Sequence, residues 1–233
     1  MRDIGVVYCE LGRYNEAWDC FRKSLDIAKS LSQNMEHPLI AQISACIGAT
    51  FSGLGELSSA LEYFILSLEM LKGMFGTEAV YPNISALHGS IGLLYLKMGK
   101  YELAVEHMKS GIDMAEKLYG KNNFIQADCY LNISLVYCMQ YNLVMANKYF
   151  TKSIEALEAS KCDIGENLIA AQFLNKIGIV HSTLGNNVDA LQHFLKSLYI
   201  LKKYFGEDAQ HPQVDVVYIN IARVYWRIIK QCF

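Results

Sequence analysis

Between residues 91 and 112 the chain reads IGLLYLKMGKYELAVEHMKSGI. Apolar residues recur there at the three- and four-residue spacing of amphipathic helices, interrupted once at Gly99. Gly92 sits inside the first of the two helices so predicted, although a mid-helix glycine costs roughly 1 kcal/mol relative to alanine. The pattern returns along the whole chain. Gly5, Gly48, Gly92, Ser134, Gly178 and Ala222 lie 43, 44, 42, 44 and 44 residues apart, each preceded by an isoleucine. Three residues after each comes Tyr8, Phe51, Tyr95, Tyr137, His181 or Tyr225. Twelve after comes Ala17, Ala60, Ala104, Ala146 or Ala190, and sixteen after comes Phe21, Phe64, Met108, Phe150 or Phe194. Copies held in phase over this length are a structural repeat.

Each copy predicts two helices and a tight turn. Gly12, Gly55, Gly99 and Gly185 stand seven residues after the small position, where a left-handed glycine stops a helix. The small residue of the first helix and the alanine of the second allow close backbone approach, and the aromatics interlock across the pair. Packing then offsets the propensity cost of Gly92. Pro38, Pro82 and Pro212 each fall ten residues before a small position, at the first turn of a helix, where the missing N–H has no intrahelical partner. Gly76, Gly120 and Gly206 mark the exits of second helices 28 residues after it, while Gln33 and Cys162 stand at the other two exits.

The [I/L]-G-x-x-Y, A-x-x-x-F and terminal-proline pattern resembles the tetratricopeptide repeat (TPR), whose period is about 34 residues. The joints Phe75-Gly76-Thr77-Glu78-Ala79-Val80-Tyr81-Pro82 and Phe205-Gly206-Glu207-Asp208-Ala209-Gln210-His211-Pro212 are similar to the G-x-x-H-P joints of the kinesin-light-chain and nephrocystin type. Leu131-Asn132-Ile133 and Leu174-Asn175-Lys176 echo that subfamily's Leu-Asn-Asn stretch. The resemblance implies an all-α fold: a right-handed α-solenoid of tandem helix-turn-helix repeats, five hairpins plus one terminal helix. We expect one TPR solenoid domain over 1–233, with repeats near 1–33, 38–76, 82–120, 124–161 and 166–206 and an incomplete one at 211–233.

Hydrophobic content of 52% and charged content of 19% suit a shared core and exclude wholesale disorder. A net charge of −2 lacks the basic stripe of a nucleic-acid binder. No window approaches the roughly 20 apolar residues of a membrane span, so membrane insertion is not expected. The seven cysteines form no CxxC and no framework, which reads as free, mostly core thiols in a reducing, cytoplasmic compartment. The sequons at Asn83 and Asn132 then carry no glycan. Met1 enters the first repeat just before Ile4, and Ile221, Tyr225 and Ile228 belong to a first helix with no second helix after it. We therefore expect a longer protein, with apolar end helices open to self-association.

No catalytic group is predicted. The histidines form no HxxxH or HExxH pair, and neither GxxxxGK[ST] nor GxSxG occurs. His181 replaces a tyrosine or phenylalanine of the other copies and reads as a packing residue, while His37 and His211 precede prolines and read as joint residues. Glu207 and Asp208 read as solvated loop charges. No metal site and no cofactor are implied.

What remains is a surface. The resemblance implies that first helices line a concave groove, which in the third copy presents Ala86, Gly89, Ser90, Leu93, Leu96 and Lys97. Further on it presents Asp128, Asn132, Leu135, Gln172, Asn175, Lys176, Ile179, Asn220, Arg223, Trp226 and Arg227. Asn132, Asn175 and Asn220 suit an extended peptide backbone, and Lys176, Arg223 and Arg227 suit carboxylates. The same polar residues read equally well as a solvated helix face. Trp226 admits two readings, an interface anchor or a contact with a following helix. Only Asn132 and Lys176 match the carboxylate clamp of co-chaperone repeats, because Gly89 and Leu93 stand where the clamp has Lys and Asn. We expect a non-catalytic scaffold for an extended acidic peptide with an apolar or aromatic anchor. In the kinesin-light-chain-like form it is a cargo adaptor, although no heptad segment for motor attachment occurs here. The alternative is a structural or regulatory repeat arm that self-associates or packs on other domains.

Overall fold

In the computed structural model, the small residue of each first helix lies directly beneath a large side chain of the second. A Cβ added to Gly92 would stand 2.8 Å from Met108 Cγ and 3.1 Å from the Ala104 carbonyl oxygen. At Gly48 it would meet Phe64 at 2.9 Å and the Ala60 carbonyl at 3.1 Å, and at Gly178 it would meet Phe194 at 2.5 Å. Real Cβ atoms essentially never show contacts under 3.0 Å, so a side chain at these glycines would force the facing residues to move. In the fourth copy Ser134 fits the same place by donating its hydroxyl to the equivalent carbonyl, that of Ala146, at 2.7 Å.

The structure describes residues 1–31, 37–76, 80–160, 167–207 and 210–231. Gln33, Cys162 and Cys232 lie outside them, as do Thr77, Glu78, Ala79, Asp208 and Ala209 of the two joints. Eleven helices and no strand occur among the described residues: α1 (Arg2–Glu10), α2 (Tyr14–Leu31), α3 (Pro38–Leu54), α4 (Leu57–Phe75), α5 (Pro82–Lys97), α6 (Tyr101–Tyr119), α7 (Phe124–Met139), α8 (Leu143–Ser160), α9 (Leu168–Thr183), α10 (Asn187–Phe205) and α11 (Pro212–Gln231). They pair as predicted, odd with even, giving five hairpins and one terminal helix in an all-α, helical-repeat solenoid fold.

The turns and entries follow the expected chemistry. Gly55 closes α3 in the left-handed conformation at φ 81°, its N–H reaching the Phe51 and Ser52 carbonyls. In the fourth copy the equivalent residue is Tyr141, held at φ 55° with its side chain 87% exposed. Pro38, Pro82 and Pro212 are the first residues of α3, α5 and α11. His37 and His211 cap two of these entries, their Nδ1 atoms accepting from the N–H of Leu39 at 3.1 Å and of Gln213 at 3.2 Å. Asn123 and Gln126 form a reciprocal capping box on α7.

The chain divides into two compact units, α1–α6 within Met1–Gly120 and α7–α11 within Lys121–Phe233. The first unit is built on two clusters, one around Phe21, Ile40 and Ile47, the other around Phe64, Leu71, Ile84 and Ile91. The second is built on a cluster around Phe150, Phe173 and Ile177 and another around Phe194, Leu198 and Val217. Where neighbouring first helices lie side by side, the units differ. In the second unit α7 and α9 pack directly, whereas in the first α3 and α5 make no comparable contact.

Recurring aromatic pairs close four of the five hairpins beside their turns. Phe51–Tyr63, Tyr95–His107, Tyr137–Tyr149 and His181–His193 stand 5.6, 5.4, 5.5 and 5.3 Å apart between ring centroids. His181 thus packs as an aromatic, with Phe150 of α8 edge-on at 5.0 Å.

Candidate functional site

The residues expected on the groove face of the second unit meet one another across neighbouring first helices. Lys176 of α9 donates to Asp128 of α7 at 2.6 Å, and Asn132 donates to the other Asp128 oxygen at 3.1 Å. Asn220 of α11 donates to the Asn175 side-chain oxygen at 3.0 Å. Arg227 donates to the Ser182 carbonyl at 2.7 Å and to its hydroxyl at 2.8 Å. The first unit has similar rungs, from Arg2 to Gln42 at 3.0 Å and from Lys97 to Ser52 at 3.3 Å. Side chains 40 to 48 residues apart therefore cross-link the first helices within each unit.

These rungs sort the candidates by accessibility. Asn132 is fully buried and Asn220 nearly so, and Asn175 and Lys176 are half-buried in their pairs. The Oδ1 of Asn132 has no partner among the described residues. Leu135 and Ile179 are half-buried against the core, while Gln172 is exposed. On α11 the picture changes. Val214, Val217 and Val224 turn inward, and Ile219, Ala222, Arg223, Trp226 and Arg227 line an open depression of about 500 Å³. Trp226 is 68% exposed, and it lies on the same side of the helix as Arg223 and Arg227. Arg223 makes no hydrogen bond or ion pair with the described residues.

The first unit holds a feature that the reading of the sequence missed. Between α3 and α5 opens a cleft of about 450 Å³, floored by Phe64, Ser67 and Leu71 of α4. Its walls include Ala45, Ala49, Ala86 and Ser90, and Arg2 and Asp3 stand at its rim, bound to each other. The signal was present as small residues on the facing sides of α3 and α5, too short to bridge the gap between the two helices.

Cys9, Cys20, Cys46, Cys129 and Cys138 are free; the last two are buried, and burial pushes the Cys129 thiol up to about 12. A thiol so shifted is inert as a nucleophile. Among the described residues no group of three or more His, Cys, Asp or Glu converges on a metal-sized site, and no helix is long and apolar enough to cross a membrane.

Models of the tetratricopeptide repeat match residues 1–73 and 83–159, and another matches 171–213. The chain is similar to the anaphase-promoting complex subunit CDC16 of Saccharomyces cerevisiae, with 26% identity over 161 residues, 69% of this chain and 17% of that protein. It therefore spans about a sixth of the length of that curated relative. Three solved structures share the fold. A Podosopora anserina chain of nearly identical TPR-like repeats, assigned to the kinesin light chains, superposes with a TM-score of 0.60 at 14% identity over 87% of this chain and 94% of its own. The apo form of RapI gives 0.67 at 18% identity over 98% and 83%. A Rap protein complexed with competence and sporulation factor gives 0.62 at 13% identity over 99% and 64%. The chain belongs to the tetratricopeptide-repeat family, a family of protein–protein interaction scaffolds.

Proposed function

We propose that the chain is a non-catalytic adaptor whose second unit holds an extended, acidic peptide with an apolar or aromatic anchor. The observation that carries this reading is the pairing of Arg223 and Trp226 on the open depression of α11. Lys176 is paired with Asp128 and Arg227 is held by the neutral Ser182, so Arg223 is the basic side chain of the set left to meet a ligand carboxylate directly, with the charge of Arg227 beside it. Trp226, three residues on, offers the face against which an apolar anchor stacks. Asn220 holds the neighbouring first helix, and Asn132 orients Asp128 on its own helix, rather than either meeting the ligand. The narrower form, a kinesin-light-chain-like cargo adaptor, is supported by the joint motifs, and a cytoplasmic location by the free thiols.

Titration of the chain with a fluorescent acidic peptide carrying a tryptophan or tyrosine tests this. Charge contributes to encounter and specificity and is screened by salt. Arg223→Glu should weaken binding at least tenfold, flatten its salt dependence and leave the helical circular dichroism signal unchanged. The double change Arg223→Glu with Arg227→Glu should abolish binding. Affinity that survives both would overturn the assignment.

A second reading is favoured by a separate observation. Tyr218, Tyr225 and Ile229 of α11 are each about half exposed, as are Ile4 and Val7 of α1. These apolar edges suit a repeat arm that self-associates or packs on other domains. Sedimentation velocity over a hundredfold concentration range separates the two: association that Tyr225→Ser abolishes supports the arm, and a monomer throughout removes it.

A further inference from the structure

Two histidines meet within one hairpin of each unit. In the first unit His88 of α5 and His107 of α6 stand with their Nδ1 atoms 3.2 Å apart and ring centroids 5.1 Å apart, beside the Tyr95 ring. His88 is only 8% exposed. In the second unit His181 of α9 and His193 of α10 stack at 5.3 Å with planes 7° apart. The Nδ1 of His181 is buried and lacks a hydrogen bond among the described residues. Each pair adjoins the preceding hairpin: Lys72 of α4 acts on the first, and Phe150 of α8 packs edge-on against the second.

We propose that the two pairs make the α5–α6 and α9–α10 hairpins acid-labile, each holding while its imidazoles are neutral and loosening when they take up protons. The geometry is the reason. Two Nδ1 atoms at 3.2 Å share one proton at most, because two imidazolium donors facing each other repel. Two parallel rings at 5.3 Å stack as neutral aromatics and repel as cations. The surrounding charges do not rescue the charged forms. Around the first pair they are Lys72 on α4, which opposes protonation of both rings, and Glu106 on α6, which favours it at His107 only. Around the second they are Asp189 and Lys196 on α10, of opposite sign, with the Asp189 carboxylate 4.0 Å from His181 Nδ1.

Burial is the largest influence on all four. It pushes His88 down to about 4, helped by His107 and Lys72, and it lowers His107, His181 and His193 despite Glu106 and Asp189. Unfolded imidazoles protonate near 6.5. As pH falls below that value, the unfolded chain binds protons that the folded chain does not, so stability declines until the folded values are reached. Above about 6.5 the effect is absent. Each imidazole kept neutral lowers the folded-to-unfolded ratio by up to tenfold per pH unit within the window.

The molecule supplies its own control, since other copies carry Tyr63, Tyr149 and Tyr137 at the positions of His107, His193 and His181, and Leu174 at that of His88. Urea unfolding followed by helicity at pH 7.5 and pH 5.5 compares the natural chain with His88→Leu/His107→Tyr, His181→Tyr/His193→Tyr and the fourfold variant. His37 and His211 are present in all of them, so only the difference between proteins counts. The natural chain should lose at least tenfold more in its folded-to-unfolded ratio over this interval than the fourfold variant, and each double variant should recover part of that difference. An equal loss in natural and fourfold proteins overturns the proposal. An NMR titration of the natural chain decides it without any substitution: imidazole resonances of the two pairs should titrate below 6.5, and ordinary midpoints would sink the idea even if no variant folds.

Discussion

A single methyl group is already too much at the small position wherever that position is glycine, at Gly5, Gly48, Gly92 and Gly178. Gly92 lies under Met108 and against the Ala104 carbonyl, so Gly92→Leu must push backbone as well as side chains. Overpacking ordinarily costs about 1–3 kcal/mol, and here the loss should exceed that range, read as a fall in the thermal midpoint. An unchanged midpoint would mean that the helices can separate freely. Tyr141 is the opposite case. It takes the left-handed backbone that Gly12, Gly55, Gly99 and Gly185 supply elsewhere, and its exposed ring gains little from the fold. Relief of about 1–2 kcal/mol of strain, less the roughly 0.4–1 kcal/mol by which glycine favours the unfolded chain, leaves a modest gain. Tyr141→Gly should therefore stabilise the protein by up to about 1 kcal/mol in urea unfolding. Both positions were legible from the phase of the repeat, because a turn and a helix contact sixteen residues away are set by local geometry.

The hairpin depends on a second link that the phase also carried but that periodicity alone does not interpret. Ser67, Ser153 and Ser197 each donate a hydroxyl to the first helix of their own hairpin, at the carbonyls of Ala41, Ala127 and Ala171, all at 2.7 Å. The third hairpin reverses the arrangement: Ser85 on the first helix donates to Gly111 on the second at 3.0 Å. A hydroxyl on either side satisfies the same close approach, provided that the facing residue is small. A buried hydrogen bond contributes about 1 kcal/mol net, so Ser85→Ala should cost about that much. Adding Gly111→Ser to it restores the pattern of the other hairpins and should recover most of the loss, as compared by urea midpoints. No recovery would show that the two sides are not equivalent. A serine on a helix face looks solvent-exposed in a sequence; only the facing helix turns it into a clamp.

Within each unit, function depends on what the hairpins leave uncovered when they stand side by side. The rungs from Lys176 to Asp128, Asn220 to Asn175 and Arg227 to Ser182 neutralise or bury much of the polar face that suited a ligand in the sequence. Lys176→Ala would strand the Asp128 carboxylate beside half-buried neighbours, so it should lower stability as well as binding. Arg223→Glu should lower binding alone. Measuring urea midpoints and peptide affinities for both variants distinguishes a rung from a contact, and a Lys176→Ala protein of normal stability would place that lysine among the ligand contacts after all.

Several features of this protein follow from its sequence by itself: the helices, their pairing into hairpins, the proline entries and the interlocked small and aromatic residues. They follow because helix periodicity and the closing of a hairpin involve residues less than thirty apart, whose spacing is written directly in the chain. Tertiary structure alone decided the rungs between first helices, the burial of Asn132, the exposure of Arg223 beside Trp226, and the cleft between α3 and α5. Those depend on how closely one hairpin packs on the next, over separations of 40 or more residues, and side-chain volumes summed across the facing surfaces determine that distance rather than any pattern along a single helix.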